Sequence, residues 1–91
     1  MLWALIRSRG TLAPLRLKGP RSVRANTTFK VTALDGETRE AVEGATVGGR
    51  LTDRNGQVEI ISGEPGETHR LQAEYQSRYV RSNALIVTVT S

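Results

Sequence analysis

The chain has 91 residues, no cysteine, one histidine and a formal net charge of +4 at pH 7. That length specifies one small domain, in which every core position counts because small domains bury a limited share of their surface. Without cysteine there is neither a disulfide framework nor a thiolate metal site, so packing must hold the fold, while the compartment stays open.

The charge is concentrated at one end. Residues 1–26 carry Arg7, Arg9, Arg16, Lys18, Arg21 and Arg24 and no acid, whereas residues 27–91 carry seven Lys or Arg against nine Asp or Glu. The six cations are candidate contacts to an anionic surface, either a polyanion or lipid headgroups; a solvated charge run is the alternative. The first six residues, Met1-Leu2-Trp3-Ala4-Leu5-Ile6, are apolar and are followed by Arg7-Ser8-Arg9-Gly10. The run is shorter than the roughly 20 apolar residues that span a bilayer, and charges that follow the apolar stretch reverse the order of a secretory signal. Residues 1–11 are therefore expected to be either the end of a transmembrane helix at its polar boundary, belonging to a longer tethered protein, or a disordered terminus, with Trp3 packing on the domain as a variant of that reading. Residues 12–91 are the expected folded unit.

Within that unit the rhythm is all-β. Leu15-Arg16-Leu17-Lys18 alternates and stops at Gly19-Pro20, and Pro14 and Pro20 suit an edge strand, where a missing donor is tolerated. Thr27 to Leu34 places Phe29, Val31 and Ala33 on one face and Thr28, Lys30 and Thr32 on the other. Asp35-Gly36 reads as a turn, and Glu37-Thr38-Arg39-Glu40 as a solvated loop. Ala45 and Val47 come next as an inward pair, Gly48-Gly49 as a bend or bulge, and Leu51 as an anchor on the far side. Asp53-Arg54-Asn55-Gly56 is a hairpin signal, with local side-chain caps and a glycine for the left-handed position. Val58 and Ile60 alternate with Glu59 and Ile61, and Leu71, Ala73 and Tyr75 with Arg70, Gln72 and Glu74, after a bend at Gly63-Glu64-Pro65-Gly66. In the last strand Leu85, Val87 and Val89 oppose Ile86, Thr88 and Thr90. The expected core is Leu17, Phe29, Val31, Ala45, Val47, Val58, Ile60, Leu71, Ala73, Leu85, Val87 and Val89.

The run Ala41 to Val47, then Thr52-Asp53-Arg54-Asn55-Gly56-Gln57-Val58, Gly66 leading to Leu71-Gln72-Ala73, and Tyr79-Val80-Arg81-Ser82 resembles carboxypeptidase regulatory-like and related bacterial or archaeal Ig-like domains. The resemblance covers roughly residues 15–91. It implies an immunoglobulin-like (prealbumin-like) β-sandwich of about seven antiparallel strands, with a small residue after Gly44 for close packing. Glu67-Thr68-His69 stands where that family often carries an aromatic, and Arg78 where a glycine is usual. The resemblance implies a non-catalytic structural or interaction module of a cell-surface, secreted or membrane-tethered protein, or an accessory domain of a larger enzyme. It transfers no catalytic residue and no cofactor.

The residues themselves offer little chemistry. A hydrolytic triad needs a base and an orienting acid, and the single histidine, His69, shares parity with Leu71 and Ala73, which favours a structural role. One histidine without cysteine excludes a structural zinc site. Asp53, Asn55 and Glu59 do not follow an EF-hand loop, and Gly48-Gly49-Arg50 is no phosphate loop. An isopeptide crosslink from Lys18 or Lys30 to Asn83 is disfavoured by the outward parity of both lysines. Tyr79, beside Arg78 and Arg81, is the exposed aromatic candidate. Expected partners are other domains or proteins, with membrane contact through residues 1–10 and no nucleic acid; polyanion or lipid binding through the basic end is the remaining alternative.

Overall fold

The computed structural model describes residues 12–76 and 78–91. The expectations for residues 1–11, including Trp3, Arg7 and Arg9, lie outside them. Among the described residues there are ten strands and no helix: β1 (Ala13–Lys18), β2 (Ser22–Arg24), β3 (Thr28–Asp35), β4 (Thr46–Val47), β5 (Arg50–Leu51), β6 (Gln57–Ile61), β7 (Thr68–Leu71), β8 (Ala73–Glu74), β9 (Tyr79–Val80) and β10 (Leu85–Thr90). No helix there is long and apolar enough to cross a membrane.

β3 is the longest strand because its alternation is the most regular, burying Phe29, Val31, Ala33 and Asp35. It pairs antiparallel with β1, Leu17 opposite Ala33, and with β6, Val31 opposite Val58. With β9 on the far side of β1, these strands form a sheet in the order β6-β3-β1-β9. A second sheet runs β2-β10-β7, where β10 turns Val87 and Val89 inward opposite His69 and Val23. The third, β5-β4-β8, sets Val47 opposite Ala73. Only Gln72 separates β7 from β8, so the second and third sheets share one run of chain, with Leu71 and Ala73 both buried.

The inward faces meet in one cluster. Leu15, Leu17, Phe29, Val31, Ala33 and Val58 of the first sheet pack with Val47, Leu71, Ala73 and Val87 of the other two, and Val42 and Ala45 close it from the connecting loop. Each buried Val or Leu contributes about 1.5–3 kcal/mol from apolar area removed from water. The architecture is all-β with several sheets and is compatible with a β-sandwich. Ten of the twelve residues expected in the core are buried; Ile60 and Leu85 are half-buried and pack against it.

Several expectations are corrected. β1 is not an edge strand along its whole length, because β9 pairs with its start, Ala13 opposite Tyr79 and Pro14 opposite Val80. Pro14 is tolerated there because the β1–β3 ladder begins only at Leu15. Two pairs, β1 with β9 and β2 with β10, are parallel, so the strands are not all antiparallel. The second follows from a crossing at Gly19-Pro20, after which the chain joins β10 in the other sheet. A Cβ at Gly19 would lie 2.8 Å from Val31 Cγ1 and 2.9 Å from Leu85 Cδ2, so this crossing admits only glycine without a shift of both walls.

The Asp53–Gly56 bend forms, but it does not close a hairpin: β5 pairs with β4, whereas β6 pairs with β3. The bend instead carries the chain from one sheet to another. Its Asp53 Oδ1 accepts the N–H groups of Asn55 and Gln57 at 2.8 and 2.9 Å. The hairpin is one turn earlier, at Gly48-Gly49, where both residues have positive φ (58° and 82°), as a two-residue loop between twisted strands requires. Leu51, expected as an anchor, is 70% exposed, because β5 is a two-residue strand at the edge of its sheet among the described residues.

Candidate functional site

The buried polar side chains are the first place to look for chemistry, since each needs a reason to be inside. Among the described residues four qualify: Asp35, Thr52, Ser62 and Ser82. All four bond main chain. Thr52 Oγ1 accepts from Ala45 N–H at 2.9 Å and donates to the Val42 carbonyl at 2.6 Å, pinning the loop before β4. Ser62 Oγ accepts from Thr27 N–H at 3.0 Å. Ser82 Oγ accepts from Ala73 N–H and donates to the Asn83 carbonyl, both at 2.8 Å. Asp35 Oδ1 accepts the N–H groups of Glu37 and Thr38 at 2.8 and 3.0 Å, while Tyr79 Oη donates to Oδ2 at 3.1 Å.

His69 belongs to the same pattern. Its Nε2 lies 2.6 Å from the Ser62 carbonyl, which can only accept, so this nitrogen carries the proton. The half-buried ring meets Phe29 edge-on at 5.8 Å between centroids. Tyr79, expected as an exposed aromatic, is half-buried and packed against the core, tilted against Tyr75 at 5.8 Å. Its hydroxyl reaches Asp35 across 44 positions of sequence. Arg78 lies over the Tyr75 ring at 5.9 Å from the centroid, and Arg81 pairs with Glu74 at 3.0 Å. A Cβ at Gly44 would meet the Tyr75 ring at 3.5 Å, so the glycine backbone lies close to one side of this half-buried ring.

Lys18 and Lys30 are both exposed, and Asn83 is engaged with Leu17, where Leu17 N–H donates to Oδ1 at 3.0 Å and Nδ2 donates to the Leu17 carbonyl at 3.3 Å.

Of the six cations expected to contact an anionic surface, Arg7 and Arg9 lie outside the described residues, and the other four divide between two parts of the fold. Arg16 and Lys18 project from the outer face of β1, with alternation opposite to the buried Leu15 and Leu17. Arg24 projects from the outer face of β2, in a different sheet, and Arg21 precedes it. The structure instead brings a residue read as loop, Arg39, to Arg16 and Lys18 around a depression of about 200 Å³ whose other lining residues are Leu17, Leu34 and Asp35. Sequence gave no warning of this, because Arg39 has a φ of 66°, a left-handed conformation more often signalled by glycine or asparagine. Tyr75 and Glu74 line two further depressions, one with Tyr79 and Arg81, the other with Gly44 and Thr46.

Compared with models of protein families, with curated proteins and with solved structures, the chain matches none.

Proposed function

We propose that the chain is an immunoglobulin-like, prealbumin-like sandwich that serves as a non-catalytic structural or interaction module of a cell-surface, secreted or membrane-tethered protein. The observation that carries this reading is the use of the polar interior. Asp35, Thr52, Ser62 and Ser82 all bind loop or strand backbone, and His69 binds a carbonyl, so the side chains with chemical potential serve as ties that hold connections in place. Side chains committed in this way rigidify a scaffold.

The order of strands lends further support. One initial segment divides between two sheets as β1 and β2, β3 and β6 return to the first, and β4, β7, β8 and β10 populate the others. That alternation is in keeping with the Greek-key connections of immunoglobulin-like sandwiches.

A module of this kind should be self-sufficient. Equilibrium urea unfolding of the full chain, followed in parallel by far-UV circular dichroism and tyrosine fluorescence, is expected to give one coincident transition that dialysis against a chelator leaves in place. Separate transitions, or a midpoint that falls on chelation, would overturn the reading.

A further inference from the structure

The depression between Arg16, Lys18 and Arg39 has features that scaffolding does not explain. On the outer face of the first sheet the β1–β3 register sets Arg16 opposite the half-buried Leu34 of β3 and Lys18 opposite Thr32. The third cation arrives through a turn built for it. Asp35 caps the N–H groups of Glu37 and Thr38, and Arg39 N–H donates to the Asp35 carbonyl at 2.8 Å, which curls the chain back toward β1. Arg39 is held there at a φ of 66°, a conformation that glycine adopts without strain and arginine does not.

Among the described residues, none of the three cations makes a hydrogen bond or ion pair through its side chain. The one acid at the depression, Asp35, is buried and turned toward the turn amides and Tyr79. Three positive charges without a partner among the described residues therefore line a space of about 200 Å³ together with Leu34. Guanidinium groups present paired donors matched to tetrahedral oxyanions, and an ammonium supplies a point charge beside them.

We propose that this groove binds a phosphate monoester. Arg16 and Arg39 grip its oxygens, Lys18 balances the second negative charge, and Leu34 meets the first apolar atoms of the group that carries the phosphate. The volume suits one such group. It does not suit a nucleic-acid strand, which needs a continuous track of cations; Arg21 and Arg24 lie on and beside a strand of a different sheet. The proposal goes beyond the module reading and stands independently of it. The phosphate monoester could be free or part of a lipid headgroup, and the chemistry at the groove is the same.

The test is a titration of the ¹⁵N-labelled full chain with phenyl phosphate, with phenyl sulfate as the singly charged comparison. Saturable shifts are expected at the amides of residues 16–18 and 34–39, with phenyl sulfate binding several-fold more weakly. Arg39→Gly removes the cation while keeping a residue that favours the left-handed turn, and should weaken phenyl phosphate binding about tenfold, the ratio that corresponds to about 1.4 kcal/mol. Arg24→Gln, on the other sheet, should leave it unchanged. Equal losses in the two variants, equal affinity for sulfate and phosphate, or no saturation would overturn the proposal. Given saturable binding, pelleting with phosphatidylcholine vesicles that contain phosphatidic acid, reversed by phenyl phosphate and absent with phosphatidylglycerol, assigns the source to a lipid headgroup. Saturable binding without pelleting assigns it to a soluble phosphate.

Discussion

Asn83 pairs with Leu17 through both ends of its carboxamide, accepting from the main-chain N–H at 3.0 Å and donating to the carbonyl at 3.3 Å. A single side chain thereby supplies the two bonds that a neighbouring strand would give. It does so where β9, two residues long and paired with Ala13 and Pro14, leaves the rest of β1 without a strand on that flank among the described residues. Because an exposed strand flank is a template for pairing with other chains, the amide also blocks that flank.

Replacing Asn83 with Ala removes both bonds. The expected loss is about 1–2 kcal/mol, since water reaches the site and compensates in part. Asn83→Asp keeps the acceptor but not the donor, and should fall between Ala and wild type in urea midpoint. An alanine variant as stable as wild type would show that the pairing contributes nothing.

Thr52 is buried at 4% exposure and bridges the Val42 carbonyl to the Ala45 N–H. Thr52→Val matches its shape and leaves those two groups without a side-chain partner, so a destabilisation of about 1–3 kcal/mol is expected. Thr52→Ser retains the hydroxyl and should cost less. If the order of the two variants were reversed in denaturant titration, the methyl rather than the hydroxyl would be the important group.

Two glycines with similar backbone angles should respond differently to alanine. Gly49 (φ 82°) has open space around the position of a Cβ, whereas at Gly56 (φ 74°) that atom would lie 2.6 Å from the Ala33 carbonyl oxygen. Gly49→Ala should cost about 1–2 kcal/mol, the left-handed penalty alone. Gly56→Ala should cost more, because it must also push back a main chain that accepts from Val42 N–H and donates to the Gly56 carbonyl. Thermal unfolding of the pair provides the comparison, and equal shifts would contradict it.

Val87 is fully enclosed in the middle of β10. Val87→Asp places a carboxylate with no partner in the core, a cost of several kcal/mol against a total stability of about 5–15 kcal/mol for a native domain. The variant should lose its β signal in far-UV circular dichroism at room temperature, whereas Val87→Ala should remain folded with a lower midpoint. A Val87→Asp melting curve that overlays wild type would refute the assignment of this face to the interior.

Alternation made much of the fold legible. β3 and β10 bury the faces that their sequences indicate, because a period of two is a local property and survives whatever pairs alongside. The Gly48-Gly49 bend was equally readable, since positive φ at two successive residues selects for glycine. What could not be read depends on partners distant in sequence. Leu51 reads as an anchor because it is apolar, but only the ladder shows that β5 ends a sheet. Asn83 carries no local mark of its bond to Leu17, 66 positions away. The cations of the first 26 residues looked like one group until the crossing at Gly19 divided Arg16 and Lys18 from Arg21 and Arg24. Arg39 entered the groove through a backbone conformation that its residue type does not advertise.

The parallel pairing of β2 with β10 has a mechanical consequence. The two strands point the same way, with Thr88 N–H bonded to the Arg21 carbonyl at one end of the ladder and Ala25 N–H to the Thr90 carbonyl at the other. Tension that draws the front of β2 and the tail of β10 apart must slide the strands lengthwise, and the evenly spaced bonds of a parallel ladder then resist in concert instead of opening one by one like a zip. Load applied between those two points would meet this ladder in shear.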